Sequence, residues 1–137
     1  MPLYRRLLLL GSNLAGPERI QDALIRLGTL GNVALLTPIR PLPAREDPSR
    51  VYHNALTTLE SGLDREALRA RLKQIEVELG RTRDASGTVA IDIDLLATQT
   101  AGCWLADPHA LEKNEFAQTP ARDLLAAAGI SIRSAGI

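Results

Sequence analysis

Two carboxylates in an apolar run, Asp92-Ile93-Asp94-Leu95-Leu96, are the residues whose types and spacing point most directly to chemistry. Ile91, Ile93 and Leu95 alternate with them, as in a half-buried strand whose successive side chains face opposite ways. Both aspartates then project from one face, roughly 7 Å apart along it. Two hard oxygen donors so placed can share Mg²⁺, which brings nucleotide phosphate with it. A solvated face, or a pair neutralised by arginines, accounts for the same pattern, and the motif alone does not separate these readings. Tyr52 and Asn54 form a second pair on one face of another apolar stretch. A flat ring beside an amide with both donor and acceptor suits a planar heterocycle, although a satisfied half-buried pair has the same composition. Arg81 and Arg83 directly follow Gly80 at a helix end. There they can complement the helix dipole or bind phosphate.

The elements that must position these groups follow from periodicity. Leu3 to Leu10 reads as a buried strand ending in a turn at Gly11-Ser12-Asn13. Pro17 opens a helix whose Ile20, Ala23, Leu24 and Leu27 share a face. Val33 to Ile39 reads as a second strand, and the stretch from Pro38 to Pro48 as a proline-stiffened loop. Val51 to Ser61 is a third strand, with His53 facing away from Tyr52 and Asn54. Asp64 caps a second helix with Leu68, Leu72, Ile75 and Leu79 along its apolar stripe and Glu76 at the edge of that stripe. The aspartate strand, Val89 to Leu96, is followed by a turn at 99–102 and a short strand at Cys103-Trp104-Leu105. Pro108 to Phe116 reads as a loop, Pro120 to Ala128 as a helix, and the tail as a site for a last short strand. This β-α-β-β-α-β order with an appended helix predicts an α+β fold of ferredoxin-like type, an antiparallel sheet with helices on its faces.

Composition bounds the function. A chain of 137 residues suits one domain with a real core. Sixteen basic and sixteen acidic residues balance, which argues against a nucleic-acid or membrane-surface partner and requires any anion site to be local. A single cysteine, Cys103, allows no internal disulfide and fits a reducing cytoplasm. The run Leu7 to Leu10 behind Arg5-Arg6 is too short for the core of a signal peptide, and no stretch is long enough to span a bilayer.

Five pieces occur in one order: Leu10-Gly11-Ser12-Asn13-Leu14, Tyr52-His53-Asn54-Ala55, Ile75-Glu76 with Gly80-Arg81-Thr82-Arg83, Asp92-Ile93-Asp94-Leu95-Leu96, and Pro108-His109. Together they resemble the 6-hydroxymethyl-7,8-dihydropterin pyrophosphokinase family of folate biosynthesis. The resemblance implies transfer of the β,γ-pyrophosphoryl group of ATP to the pterin hydroxymethyl oxygen, releasing AMP, by a cytoplasmic monomer. It implies that Asp92 and Asp94 hold two Mg²⁺ ions, with Arg81 and Arg83 also catalytic. Tyr52 and Phe116 would sandwich the pterin, Asn54 would bond its edge, and Leu42 and Pro43 would contact it through their backbone. Glu76, Arg83 and His109 would lie along ATP.

The chain departs from the family pattern at three places. The Trp-Gly-Pro-Arg segment before the aspartate strand is replaced by the shorter Asp84-Ala85-Ser86-Gly87-Thr88-Val89. Trp104-Leu105-Ala106 stands for Arg-Leu-Thr, and Glu115 alone precedes Phe116 where Arg-Gly is usual. Three lost charged hydrogen bonds would cost about 4.5–9 kcal/mol if additive. The alternative is therefore a divergent pterin-binding paralogue with weak or no ATP binding and no transfer. Arg45, Lys73, Lys113 and Arg122 are the cations available to compensate.

Overall fold

The computed structural model describes residues 2–14, 16–44, 47, 49–80 and 89–134. Among them, strands β1 (Tyr4–Ser12), β2 (Asn32–Leu35), β3 (Arg40–Pro43), β4 (Val51–Ser61), β5 (Asp92–Thr100), β6 (Cys103–Ala106) and β7 (Ile132–Arg133) form one sheet. Its order is β2-β4-β1-β5-β6-β7, and β3 also pairs with β4. All pairings are antiparallel except β6 with β7. Helices α1 (Glu18–Leu27) and α2 (Arg65–Glu78) cover one face. Helices α3 (Pro108–Glu112) and α4 (Ala121–Ala128) cover the other. The inner order β5-β1-β4-β2, with α1 and α2 as the crossovers, is the expected ferredoxin-like α+β arrangement.

The central strand explains why two cores form. Leu7 through Leu10 are all buried and alternate between faces, as a strand covered on both sides requires. Leu8 and Leu10 meet Ile20, Leu27, Leu68 and Leu72, while Leu7 and Leu9 meet Ala110, Leu124 and Leu125. A bulge sets Leu7 opposite Ala97 and Leu8 opposite Leu95, leaving Leu96 as the extra residue. Ile93 and Leu95 thus join the first core, and Leu96 and Ala97 the second.

Several boundaries differ from the sequence reading. The second strand stops at Leu35, because Pro38 offers no N–H to a ladder. Leu36 N–H still donates to the Leu56 carbonyl (2.8 Å), and the Thr37 hydroxyl accepts from Leu56 N–H (3.0 Å). The chain then rejoins the same edge as β3, so part of the proline-rich stretch is a strand rather than a loop. The aspartate strand starts at Asp92 and continues to Thr100. The turn into β6 is therefore only Ala101-Gly102, with φ 50° and 79°, the two-residue hairpin form that matches strand twist. Pro108 to Phe116 holds α3 and a 3-10 turn at Glu115–Ala117. Asp107, just before Pro108, caps α3 by accepting from His109 N–H (3.1 Å), the Asx-then-proline start that the loop reading overlooked.

Candidate functional site

Strand register collects the site on the face of the second core. Asn54, Gly11 and Asp92 stand in one row across β4, β1 and β5, and Leu56, Leu9 and Asp94 in the next row on that face. Tyr52 lies two residues before Asn54 and pairs with Leu42, while Pro43 pairs with Val51. Asn54 is buried, and its amide nitrogen donates to the Tyr52 carbonyl (3.1 Å). Gly11 makes room for this arrangement, since a Cβ there would lie 3.1 Å from Asn54 Oδ1 and 3.9 Å from Tyr52 Cδ2. The entry to the aspartate strand is fixed from the same corner. Asn13 N–H donates to the Val89 carbonyl (2.9 Å), and Asn13 Oδ1 accepts from Val89 N–H (2.7 Å).

Two cavities open on either side of the carboxylates. The smaller, about 210 Å³, is lined by Leu9, Gly11, Pro43, Ala44, Tyr52, Asn54 and Pro120 together with Asp92, Asp94 and Glu115. The larger, about 410 Å³, is lined by the same three carboxylates, by Arg69, Lys73 and Glu76 of α2, and by Asp107, His109 and Lys113 around α3. It forms because β6 pairs with β5 only from Ala97 onward, so the outer edge of β5 over Asp92–Leu96 meets side chains and loop instead of a strand. Ile93 N–H donates to Glu76 Oε2 (2.7 Å), and Asp107 N–H donates to the Leu96 carbonyl (2.8 Å). Arg65 of α2 grips the buried Asp107 carboxylate through Nε (2.7 Å) and an Nη (3.1 Å), which ties the start of α3, and with it His109, to the rest of the site.

Burial and like charge dominate the electrostatics around Asp94. Burial, reinforced by the neighbouring Asp92 and by Glu115, pushes the Asp94 carboxyl up to about 7 against the pull of Lys113. Asp92 and Asp94 stand two residues apart on one face of β5, close enough for the Asp92 charge to raise Asp94. Lys113 Nζ lies 3.3 Å from Asp94 Oδ1 and 3.5 Å from Glu115 Oε1. Burial works against the charged ammonium, but Asp94, Glu115 and Asp92 outweigh it and hold Lys113 above its ordinary value. Among the described residues, no group of three or more His, Cys, Asp and Glu side chains could hold a metal ion. The described carboxylates common to both cavities, Asp92, Asp94 and Glu115, are hard oxygen donors of the kind Mg²⁺ takes.

The expected site residues fall into three sets. Asp92, Asp94, Tyr52, Asn54, Pro43, Glu76 and His109 line the two cavities. Leu42 and Phe116 are half-buried against the second core and are not among the lining residues. Arg81 and Arg83 lie outside the described residues. Sequence reasoning missed Gly11, Arg69, Asp107 and the double role of Glu115, which lines both cavities. The Asp-Pro-His helix start could have flagged Asp107; the others depend on register and packing.

A protein-family model for 7,8-dihydro-6-hydroxymethylpterin-pyrophosphokinase matches residues 7–126. A comparison with curated proteins found no match. No helix among the described residues is long and apolar enough to cross a membrane.

Proposed function

We propose that this chain, which belongs to the 7,8-dihydro-6-hydroxymethylpterin-pyrophosphokinase family, moves pyrophosphate from ATP to the hydroxymethyl oxygen of its pterin and releases AMP. One observation carries the reading. Asp92 and Asp94 line both cavities, so groups held in the two compartments meet across a shared pair of carboxylates. The smaller compartment takes the pterin. Tyr52 offers a ring face and the buried Asn54 an amide edge, and Phe116, next to Glu115 in the 3-10 turn, would supply the second ring face. Leu42 and Pro43 contribute through the backbone of β3.

The larger compartment takes ATP, with His109 and Glu76 on its walls and Arg81 and Arg83 next in the chain after α2. Glu76 acts by holding the edge of β5 through Ile93 N–H and so fixes the aspartates between the compartments. Two Mg²⁺ ions on Asp92 and Asp94 would neutralise phosphate charge that the pterin hydroxyl must approach. The chain's own contribution is alignment of the two substrates and exclusion of water, the main resources in phosphoryl transfer. The reading carries with it a cytoplasmic monomer.

A second reading, the pterin-binding paralogue without transfer, is favoured by the charge of the larger cavity. Its described lining has five carboxylates (Glu76, Asp92, Asp94, Asp107, Glu115) against Arg69, Lys73 and Lys113. AMP release with purified protein, Mg²⁺, ATP and hydroxymethyldihydropterin, omitting each component in turn, separates the two. AMP formed only in the complete mixture supports the enzyme. A pterin-dependent rise in melting temperature without AMP supports the paralogue.

A further inference from the structure

We propose that Lys113 is a tethered counter-cation of the carboxylate pair, displaced from Asp94 by an incoming divalent ion and then turned onto the nucleotide phosphates. The inference rests on the reading above for its ligands. Its observations are separate: one ammonium spans Asp94 (3.3 Å) and Glu115 (3.5 Å), and the same lysine lines the larger cavity. The carboxylates differ in kind. Both line the two cavities, but the Asp94 side chain is 21% exposed, whereas that of Glu115, in the 3-10 turn two residues beyond Lys113, is only 4% exposed. A divalent ion on Asp94 repels the ammonium from that oxygen but leaves Glu115 as a pivot. The Lys113 side chain is 39% exposed and has a long flexible stem, so it can swing within the cavity. Polyphosphate brought by the ion offers it a new anion at the moment it loses the old one.

The consequence is two effects of opposite sign from one substitution. In Lys113→Met, Asp94 loses a competitor for the metal, so Mn²⁺ alone should bind about 1.5- to 5-fold more tightly, the range for a partly exposed ion pair. Binding of α,β-methylene-ATP with Mg²⁺, an analogue whose α–β link cannot be cleaved, should weaken about 10- to 100-fold, because a charged contact to phosphate is lost. Lys113→Arg should restore the nucleotide affinity. Free Mn²⁺ is read by electron paramagnetic resonance, nucleotide by calorimetry, and folding by the melting curve. Weaker binding of both ligands would identify a merely structural ion pair, and unchanged Mn²⁺ affinity a lysine that does not compete with the ion. Either result overturns the proposal, as does wild-type protein that binds no Mn²⁺. None of these readouts needs turnover. Wild-type protein that binds both ligands and shows the opposed shifts yet forms no AMP would refute the transfer reaction and uphold the role of Lys113.

Discussion

Replacing Asp94 by asparagine should stabilise the protein at neutral pH while abolishing the proposed pyrophosphoryl transfer. The substitution keeps shape and deletes a charge that the fold holds at a disadvantage. In the folded chain the Asp94 carboxyl is raised from 3.8 to about 7, first by burial and then by Asp92. The folded value lies above the unfolded one, so folding takes up a proton between them. The penalty is therefore absent below about pH 4, grows as pH rises and is complete above about pH 7. Carried over that whole interval it would approach about 4 kcal/mol. The side chain is still 21% exposed, so the net gain should be smaller. We expect about 1–3 kcal/mol at pH 7.5, or roughly 3–10 °C in melting temperature for a chain of this size. Thermal melts of both proteins in EDTA at pH 4.5, 5.5, 6.5 and 7.5 measure it. The gap should open steadily with pH and nearly vanish at the acid end. A gap that does not change with pH, or a variant less stable than wild type at pH 7.5, would refute the electrostatic argument. Adding Mg²⁺ at pH 7.5 should raise the melting temperature of wild type more than that of the variant, since a ligand that binds only the folded state stabilises it.

Other perturbations separate the parts of the site. Gly11→Ala places a methyl 3.1 Å from Asn54 Oδ1, whose amide is held by the Tyr52 carbonyl. Pterin affinity measured by calorimetry should fall about 10-fold with little change in nucleotide affinity, and an unaltered pterin Kd would show that the amide yields freely. Arg65→Ala strips the buried Asp107 carboxylate of its guanidinium partner and leaves it the cap bond from His109 N–H. Discounted for the one-third exposure of Arg65, the loss should be about 1–3 kcal/mol in urea unfolding, accompanied by a higher KM for ATP; an unchanged midpoint would mean α3 is held by packing alone. Glu76→Ala removes the acceptor from Ile93 N–H at the open edge of β5. Stability should drop by about 1.5–3 kcal/mol, and protection of that amide in hydrogen exchange should fall first.

The alternation around Asp92 and Asp94 already announced a strand with two carboxylates on one face, and the spacing of Tyr52 and Asn54 announced a ring and an amide on another. Those readings depend only on the two-residue period of a strand, which is local. The helices over Ile20–Leu27 and Leu68–Ile75 were legible for the same reason, since an apolar stripe at helical spacing must be buried. The exceptions have physical causes. Thr37 and Pro38 split one edge into β2 and β3, because a hydroxyl replaced a backbone partner that local propensity could not anticipate. The stretch after Pro108 read as loop because a five-residue helix and a 3-10 turn are too short to show a period.

What the sequence by itself determined is thus the inventory: a ferredoxin-like order of elements, two carboxylates on one strand face, a ring and an amide on one face of another strand, and the family to which their arrangement belongs. What only the tertiary structure decided is how these parts are shared. Register aligned Asn54, Gly11 and Asp92 across three strands that are distant in the chain. The early end of β6 opened the edge of β5 to Glu76, and the turn at Glu115 brought a third carboxylate and Lys113 against Asp94. Burial and the approach of like charges, neither of which is a property of any short segment, then raised Asp94 to about 7.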